Sequence, residues 1–157
     1  MKKSVLVIGT VFLILLFGIA AKSAELNVQD DSVRNASPAD TLEIRQLLLQ
    51  RTQIMNEYFA GNRKLGSAAE ELAEIEDGVL YVEDLIGMEI YENTDIDTVE
   101  SCDIEVIRII NQGFSPIHAA VKIKWTVHGL DGRTVFTENY MAVCEKRGKT
   151  LKLVEFF

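Results

Sequence analysis

Trp125, Glu138 and Tyr140 are the residues of this chain whose types and spacing could do chemistry together. A two-residue turn at Asp131-Gly132 pairs Leu130 with Arg133, and counting back along both arms sets Glu138 opposite Trp125 on an otherwise apolar face. A carboxylate packed against an indole loses hydration, its pKa rises, and it can exchange a proton near neutrality. The same counting, carried through a turn at Arg147-Gly148, sets Glu155 opposite Tyr140. Carried through the link from Gly113 to Pro116, it sets Arg108 opposite Val121. These ionisable groups also admit a structural reading, in which they lie at strand ends open to water or a β-bulge turns them outward. No histidine, nucleophile or second matched carboxylate completes a reaction centre, so catalysis by Glu138 is the alternative and not the leading reading.

The opposite face of the same strands carries Lys122, Lys124 and His128, candidate contacts for a partner. His118 and His128 share that face, but ten residues of extended strand span about 33 Å, too far for one metal ion. The chain has no CxxC, HExxH, GxSxG or phosphate-binding glycine loop, and Asp95 and Asp97 lack the glycine and later Glu of an EF-hand. Neither a metal nor a cofactor is expected. Between Leu65 and Ile107 there are fourteen acidic residues and no Lys or Arg, whereas Arg108 to Phe157 holds eight basic residues and four acidic ones. That polarity makes either a docking face for a basic partner or divalent cations, or a solvated acidic surface that keeps the domain soluble.

The chain's 157 residues, 48% hydrophobic and 25% charged, suit one folded domain and not a long disordered protein. A formal net charge of -8 gives no electrostatic footprint for nucleic acid and opposes an anionic membrane surface. Lys2 and Lys3 precede an uncharged, strongly apolar run from Ser4 to Ala21. A spanning helix needs about 20 such residues, with a lower limit near ~17, while a secretory signal has about 7 to 15. Residues 1–21 therefore form either a transmembrane anchor or a signal peptide cut after Ala20 or Ala21, and length favours the anchor. With Lys2 and Lys3 held in the cytoplasm, everything after Ala21 lies outside it, in a single-pass membrane protein or, alternatively, a secreted one. Residues 22–36 make a polar tether and residues 37–157 a single domain. In that oxidising compartment Cys102 and Cys144 could pair, but the strand register leaves them about 27 Å apart against a limit of about 7 Å between Cα atoms. Two free thiols are expected.

The elements that must position these residues follow from periodicity. Ser37 can cap a helix with Pro38 in its first turn and Asp40 favoured by the helix dipole. Ile44, Leu47, Leu48, Met55, Tyr58 and Phe59 then form one apolar stripe, interrupted around Arg51, up to Gly61. Ser67 followed by Glu70 has capping-box spacing and opens a short second helix that stops at Gly78. Val79 to Glu92 reads mostly as helix. After Asp97 come four strands, Cys102 to Gln112, Ile117 to Leu130, Arg133 to Lys146 and Lys149 to Phe157, with Pro116 outside the ladder. Their apolar face collects Ile104, Val106 and Ile110, then Ala119, Val121 and Ile123, then Ala142 and Cys144, then Leu151 and Leu153. Val154 and Phe156 fall on the outer face. The fold class is thus α+β: N-terminal helices packed on a curved four-stranded antiparallel meander, preceded by one transmembrane or signal helix.

Helices first, then the meander AAVKIKWTVHGLDGRTVFTENYMAVCEKRGKTLKLVEFF, resembles the nuclear-transport-factor-two-like superfamily, the cystatin-like α+β cone, from Ser37 to Phe157. The resemblance lies in element order and not in an invariant motif, and it implies a sheet wrapped around a long N-terminal helix. That superfamily includes isomerases, dehydratases, ligand carriers, transport adaptors and membrane-anchored assembly factors, and anchor plus domain looks most like the last. The expected function is a noncatalytic extracytoplasmic binding or assembly module at a bacterial-type cell envelope, acting on a protein partner or a small ligand. The alternative is a small pocket enzyme of lyase or isomerase type, with Glu138 as acid or base and Tyr140 and Trp125 shaping the site.

Overall fold

A computed structural model describes residues 38–93, 98–110 and 116–157. Three helices, α1 (Pro38–Phe59), α2 (Leu65–Ile75) and α3 (Gly78–Glu92), precede four strands, β1 (Thr98–Ile110), β2 (Ile117–Gly129), β3 (Gly132–Arg147) and β4 (Thr150–Phe156). The strands form one antiparallel sheet in the order β1-β2-β3-β4, so the α+β class and the meander hold. The expected anchor and tether, residues 1–36, lie outside the described residues. Among the described residues no helix is long and apolar enough to cross a membrane.

Helix α1 buries the whole predicted stripe, Ile44, Leu47, Leu48, Met55, Tyr58 and Phe59, together with Ile54. Arg51 does not break that stripe. It sits three or four residues from Leu47, Leu48, Ile54 and Met55, on the same face, and is only 5% exposed. Helix α2 begins at Leu65, with Lys64 at its N-cap and no side-chain cap bond, so the Ser67–Glu70 pair is not a capping box. It ends at Ile75, short of the expected Gly78, because Glu76 leaves the helix to make a parallel bridge with Leu153. Asp77 then caps α3 by accepting from the Gly78 N–H, and Leu80, Asp84, Gly87 and Met88 bury one side of that helix.

The register differs from the one counted off the turns. Gly129 pairs with Gly132 and Arg147 with Thr150, so Leu130-Asp131 and Gly148-Lys149 are the two-residue loops. Gly148 takes the left-handed first loop position at φ 66°, while Gly132, at φ 108°, follows its turn instead of sitting in it. Each shift is by two residues in the paired position, and side chains alternate with period two, so residues keep their faces but change partners. Trp125 lies opposite Phe136, Glu138 opposite Ile123, and Tyr140 opposite Val121.

Bulges account for the remaining differences. In β1 they fall between Val99 and Ser101 and between Val106 and Arg108, so the inward series is Val99, then Cys102, Ile104 and Val106, then Ile109. Ile109 is the buried residue where Ile110 was expected, and Arg108, opposite Ala120, is exposed. Between β3 and β4 the irregularity makes Val154 the extra residue. Glu155 then faces Val143 and is exposed, while Phe156 turns inward opposite Ala142. Arg108 and Glu155 are therefore not on the apolar face, and the structural reading of both stands.

Helix α1 is tied to both outer strands. The Asn56 side chain donates to the Cys102 carbonyl at 2.8 Å and accepts from the Cys102 N–H at 2.7 Å. Glu43 Oε1 accepts from the Leu151 N–H at 3.0 Å. The α2–α3 junction is held to β4 as well, with the Asp77 N–H donating to the Leu153 carbonyl at 2.9 Å. Lys152 Nζ donates to the carbonyls of Ala73 and Glu74 at 2.8 and 2.6 Å, satisfying two of the orphan groups at the end of α2. These ties place α3 over the sheet and leave a cleft between them.

Candidate functional site

The cleft is bounded by α1, α3 and strands β2 to β4. Its walls are aromatic, from Trp125, Tyr140 and Phe156, with Leu80 and Ile123 completing the apolar part and Arg51, Asp84 and Glu83 supplying charge. It measures about 340 Å³ counted out to its open mouth, and the space within has room for one or two waters.

Arg51 forms the floor. Its Nε donates to Glu76 Oε1 and to Asp84 Oδ2, both at 2.8 Å, and its Nη2 donates to Asp84 Oδ1 at 2.7 Å. The Phe156 ring lies 4.8 Å from the guanidinium carbon, within cation–π range. Burial by itself would lower the Arg51 pKa, but Asp84 and Glu76 outweigh it and raise it further, so the guanidinium stays charged. One cation faces two carboxyl groups, Glu76 at 3% and Asp84 at 4% exposure. Burial, and then the neighbouring Asp84 charge, push the Glu76 carboxyl well above the usual carboxylate range, and its Oε2 has no hydrogen-bond partner among the described residues. Glu76 thus holds a proton more tightly than a free carboxyl does, which moves the cluster toward neutrality.

The predicted trio is brought together on the helix-covered face. Tyr140 donates to Glu138 Oε2 at 2.5 Å, and burial followed by that carboxylate raises the phenol pKa, which keeps Tyr140 a neutral donor. Tyr140 and Trp125 line the cleft, whereas Glu138 is half-buried behind Tyr140 and opposite Ile123. Nearer the mouth, burial, Asp84 and Glu155 together raise the Glu83 pKa. As an arrangement this can hold, orient and desolvate a small group, and Tyr140 with Glu138 can pass a hydrogen bond outward.

Lys122, Lys124 and His128 project from the other face, as their strand parity requires. Lys122 Nζ lies 3.4 Å from Glu105, His128 Nε2 lies 2.9 Å from Glu100, and Arg133 joins the same Glu100 at 2.8 Å. Lys124 is paired in register with Asp103. The structure thus sets Lys122 and His128 against acidic side chains across the strands and Lys124 opposite Asp103, all three on the face away from the cleft. Cys102 and Cys144 are both free and buried, opposite Trp125 and Ile117, which are eight residues or about 27 Å apart along β2. Among the described residues no group of side chains could hold a metal ion.

Sequence reasoning missed Arg51, Glu76 and Asp84 as a unit. The visible signal was a cation at a stripe position of an otherwise apolar helix face, which calls for buried carboxylates.

No family model matches the chain, and no curated protein matches it. Solved structures do. A 2.35 Å structure from Catenulispora acidiphila in complex with S-DNPA is 13% identical with a TM-score of 0.56, over 77% of this chain and 92% of that one. A 2.5 Å structure from the same organism is 14% identical with a TM-score of 0.55, over 76% of this chain and 89% of that one. At such identity the likeness is one of fold: a small α+β protein with helices packed on a sheet.

Proposed function

We propose that this chain is a noncatalytic binding module of the nuclear-transport-factor-two-like kind, which receives a small ligand or a group from a protein partner in the cleft between α3 and the sheet. The cleft carries the reading: it has aromatic walls, and two of the polar groups reaching it are held by internal partners, Arg51 by Asp84 and Glu76 and Tyr140 by Glu138. Polar groups fixed in this way orient what binds beside them. The long α1 seated on an antiparallel meander supports the superfamily, and the neighbour solved in complex with S-DNPA supports a ligand-holding use of the architecture. The apolar run Ser4–Ala21 behind Lys2 and Lys3 supports a single-pass position with the domain outside the cytoplasm, or else secretion after cleavage.

The test uses Trp125, the one tryptophan of the chain, as a reporter in the cleft. Titration of the full-length protein with fractionated small molecules and peptides should give a saturable change in its emission that Tyr140→Ala weakens. Emission that no fraction changes would overturn the reading. Membrane fractionation with intact-mass measurement tests the location, full-length mass in the membrane pellet being expected and a soluble product starting near Lys22 marking secretion.

The short Tyr140–Glu138 contact favours a second reading, a lyase or isomerase with Glu138 as acid or base. On it, Glu138→Gln abolishes turnover of a cleft ligand without unfolding the protein. On the outer face, recruitment of a partner by Lys122, Lys124 and His128 predicts that changing both lysines to Glu weakens assembly and spares folding.

A further inference from the structure

The sign of the cleft and its width select among occupants. Arg51 is its one basic side chain among the described residues, and two carboxyl groups already engage it. Of the basic residues around β4, Lys146 lies against Asp40, Arg147 against Asp77 and Lys152 against the end of α2, while Lys149 stands exposed in the β3–β4 turn, and none of the four lines the cleft. What remains toward solvent is acidic. Glu83 lines the mouth, and Glu155 is close enough to help raise its pKa. An anion entering here would meet Glu83 with no uncommitted cation in the lining, since Arg51 and Asp84 satisfy one another. The interior, with room for one or two waters, is too narrow for a whole metabolite and wide enough for a head group of that size. Its walls suit a cation. Phe156 already carries one, the Arg51 guanidinium, on its ring, and Trp125 and Tyr140 present further aromatic surface to the same space.

We infer that the cleft takes the ammonium head of an alkylamine, with Glu83 meeting its charge at the mouth and Trp125 and Tyr140 packing on its alkyl part. This deepens the binding-module reading and rests on it. A small free amine and a lysine side chain of a polypeptide present the same head.

The experiment is calorimetric titration of the full-length protein with butylammonium, butyrate and butanol, with Trp125 emission followed in parallel. Butylammonium should bind about tenfold tighter than butanol, the difference a charged partner makes. Glu83→Gln should remove most of that advantage. Raising the salt concentration should weaken butylammonium several-fold and leave butanol unchanged, which tests the charge without any substitution. Butyrate binding as well as or better than butylammonium would overturn the inference while leaving the cleft a binding site. Failure of all three to bind would remove the cleft reading together with it. A Gly-Lys-Gly peptide binding more tightly than butylammonium supports a polypeptide source of the head, and the reverse order supports a free amine.

Discussion

Arg51→Met is the sharpest perturbation of this fold. Methionine roughly matches the stem of arginine and keeps the helix, so the change removes one charge and three hydrogen bonds of 2.8, 2.8 and 2.7 Å. Asp84 and Glu76 are then left in the core without a counter-charge, at 4% and 3% exposure. Breaking a buried ion pair from one side costs about 3–5 kcal/mol. An independent bound comes from the escape route: protonating a carboxyl of ordinary pKa at pH 7 costs about 1.4 kcal/mol per pH unit, or about 4 kcal/mol in all. Both routes give about 4 kcal/mol, a large share of the 5–15 kcal/mol or so that holds a domain of this kind together. Urea and thermal unfolding of the full-length chain, followed by Trp125 emission and by far-ultraviolet circular dichroism, should show a melting temperature lower by about 10–15 °C. The deficit should shrink by more than half near pH 4.5, where holding a proton on a carboxyl costs little. Adding Glu76→Leu and Asp84→Leu to Arg51→Met should restore stability to within about 1 kcal/mol of the parent or beyond, since apolar replacements of a whole buried charge cluster are often neutral or better. A loss under about 1 kcal/mol for Arg51→Met alone would refute the claim that this guanidinium neutralises the core.

The Glu76 pKa is raised on folding, so the native state holds the extra proton between the unfolded value near ~4.3 and the folded one. Its contribution is therefore complete below that lower value and is lost as pH rises toward the upper one. Glu76→Gln, which keeps the neutral shape, should flatten that decline, and urea midpoints that differ from the parent's by the same amount at pH 5 and pH 8 would contradict it. Asn56→Leu strips the partners from the Cys102 N–H and carbonyl and should cost about 1–3 kcal/mol in chemical denaturation, an unchanged midpoint counting against that tie. Burial pushes the thiols of Cys102 and Cys144 up to about 12, so in the folded protein at pH 8 both should alkylate at least about a thousandfold more slowly than after unfolding. Intact mass after unfolding without reductant should show two adducts, and none would mean a disulfide.

The long first helix was legible because its apolar residues recur at helical spacing, and the sheet faces were legible because an even slip of register preserves alternation. What failed was anything that turns on a single inserted residue. Val154 and Phe156 are both apolar, so nothing local says which of them carries the bulge, yet Glu155 on the apolar face was a misfit, as was Arg108. In both cases the misfit marked the irregular strand. Asp131-Gly132 pointed to the right hairpin with the wrong loop, because a glycine can serve within a turn or directly after it. The cleft floor was hidden for a different reason. Glu76 and Asp84 stand 25 and 33 residues from Arg51, inside a run of acids whose bulk suggests a solvated surface, and no short-range pattern separates the two that are buried.

The three bonds that tie α1 to the outer strands also decide how this protein can meet its own copies. Asn56 occupies the outward backbone groups of Cys102 near the middle of β1, and Glu43 with Asp77 does the same for Leu151 and Leu153 along β4. A sheet border blocked at such points offers no continuous template for a foreign strand, and the charged Glu100, Asp103 and Glu105 on β1 discourage docking between the blocked positions. On the β1 border, fibre growth and strand exchange would first require α1 to lift away, which would expose the apolar stripe beneath it. Resistance to self-assembly and thermodynamic stability are therefore carried by one and the same helix, and a substitution that loosens α1 should surface as aggregation before it surfaces as loss of secondary structure.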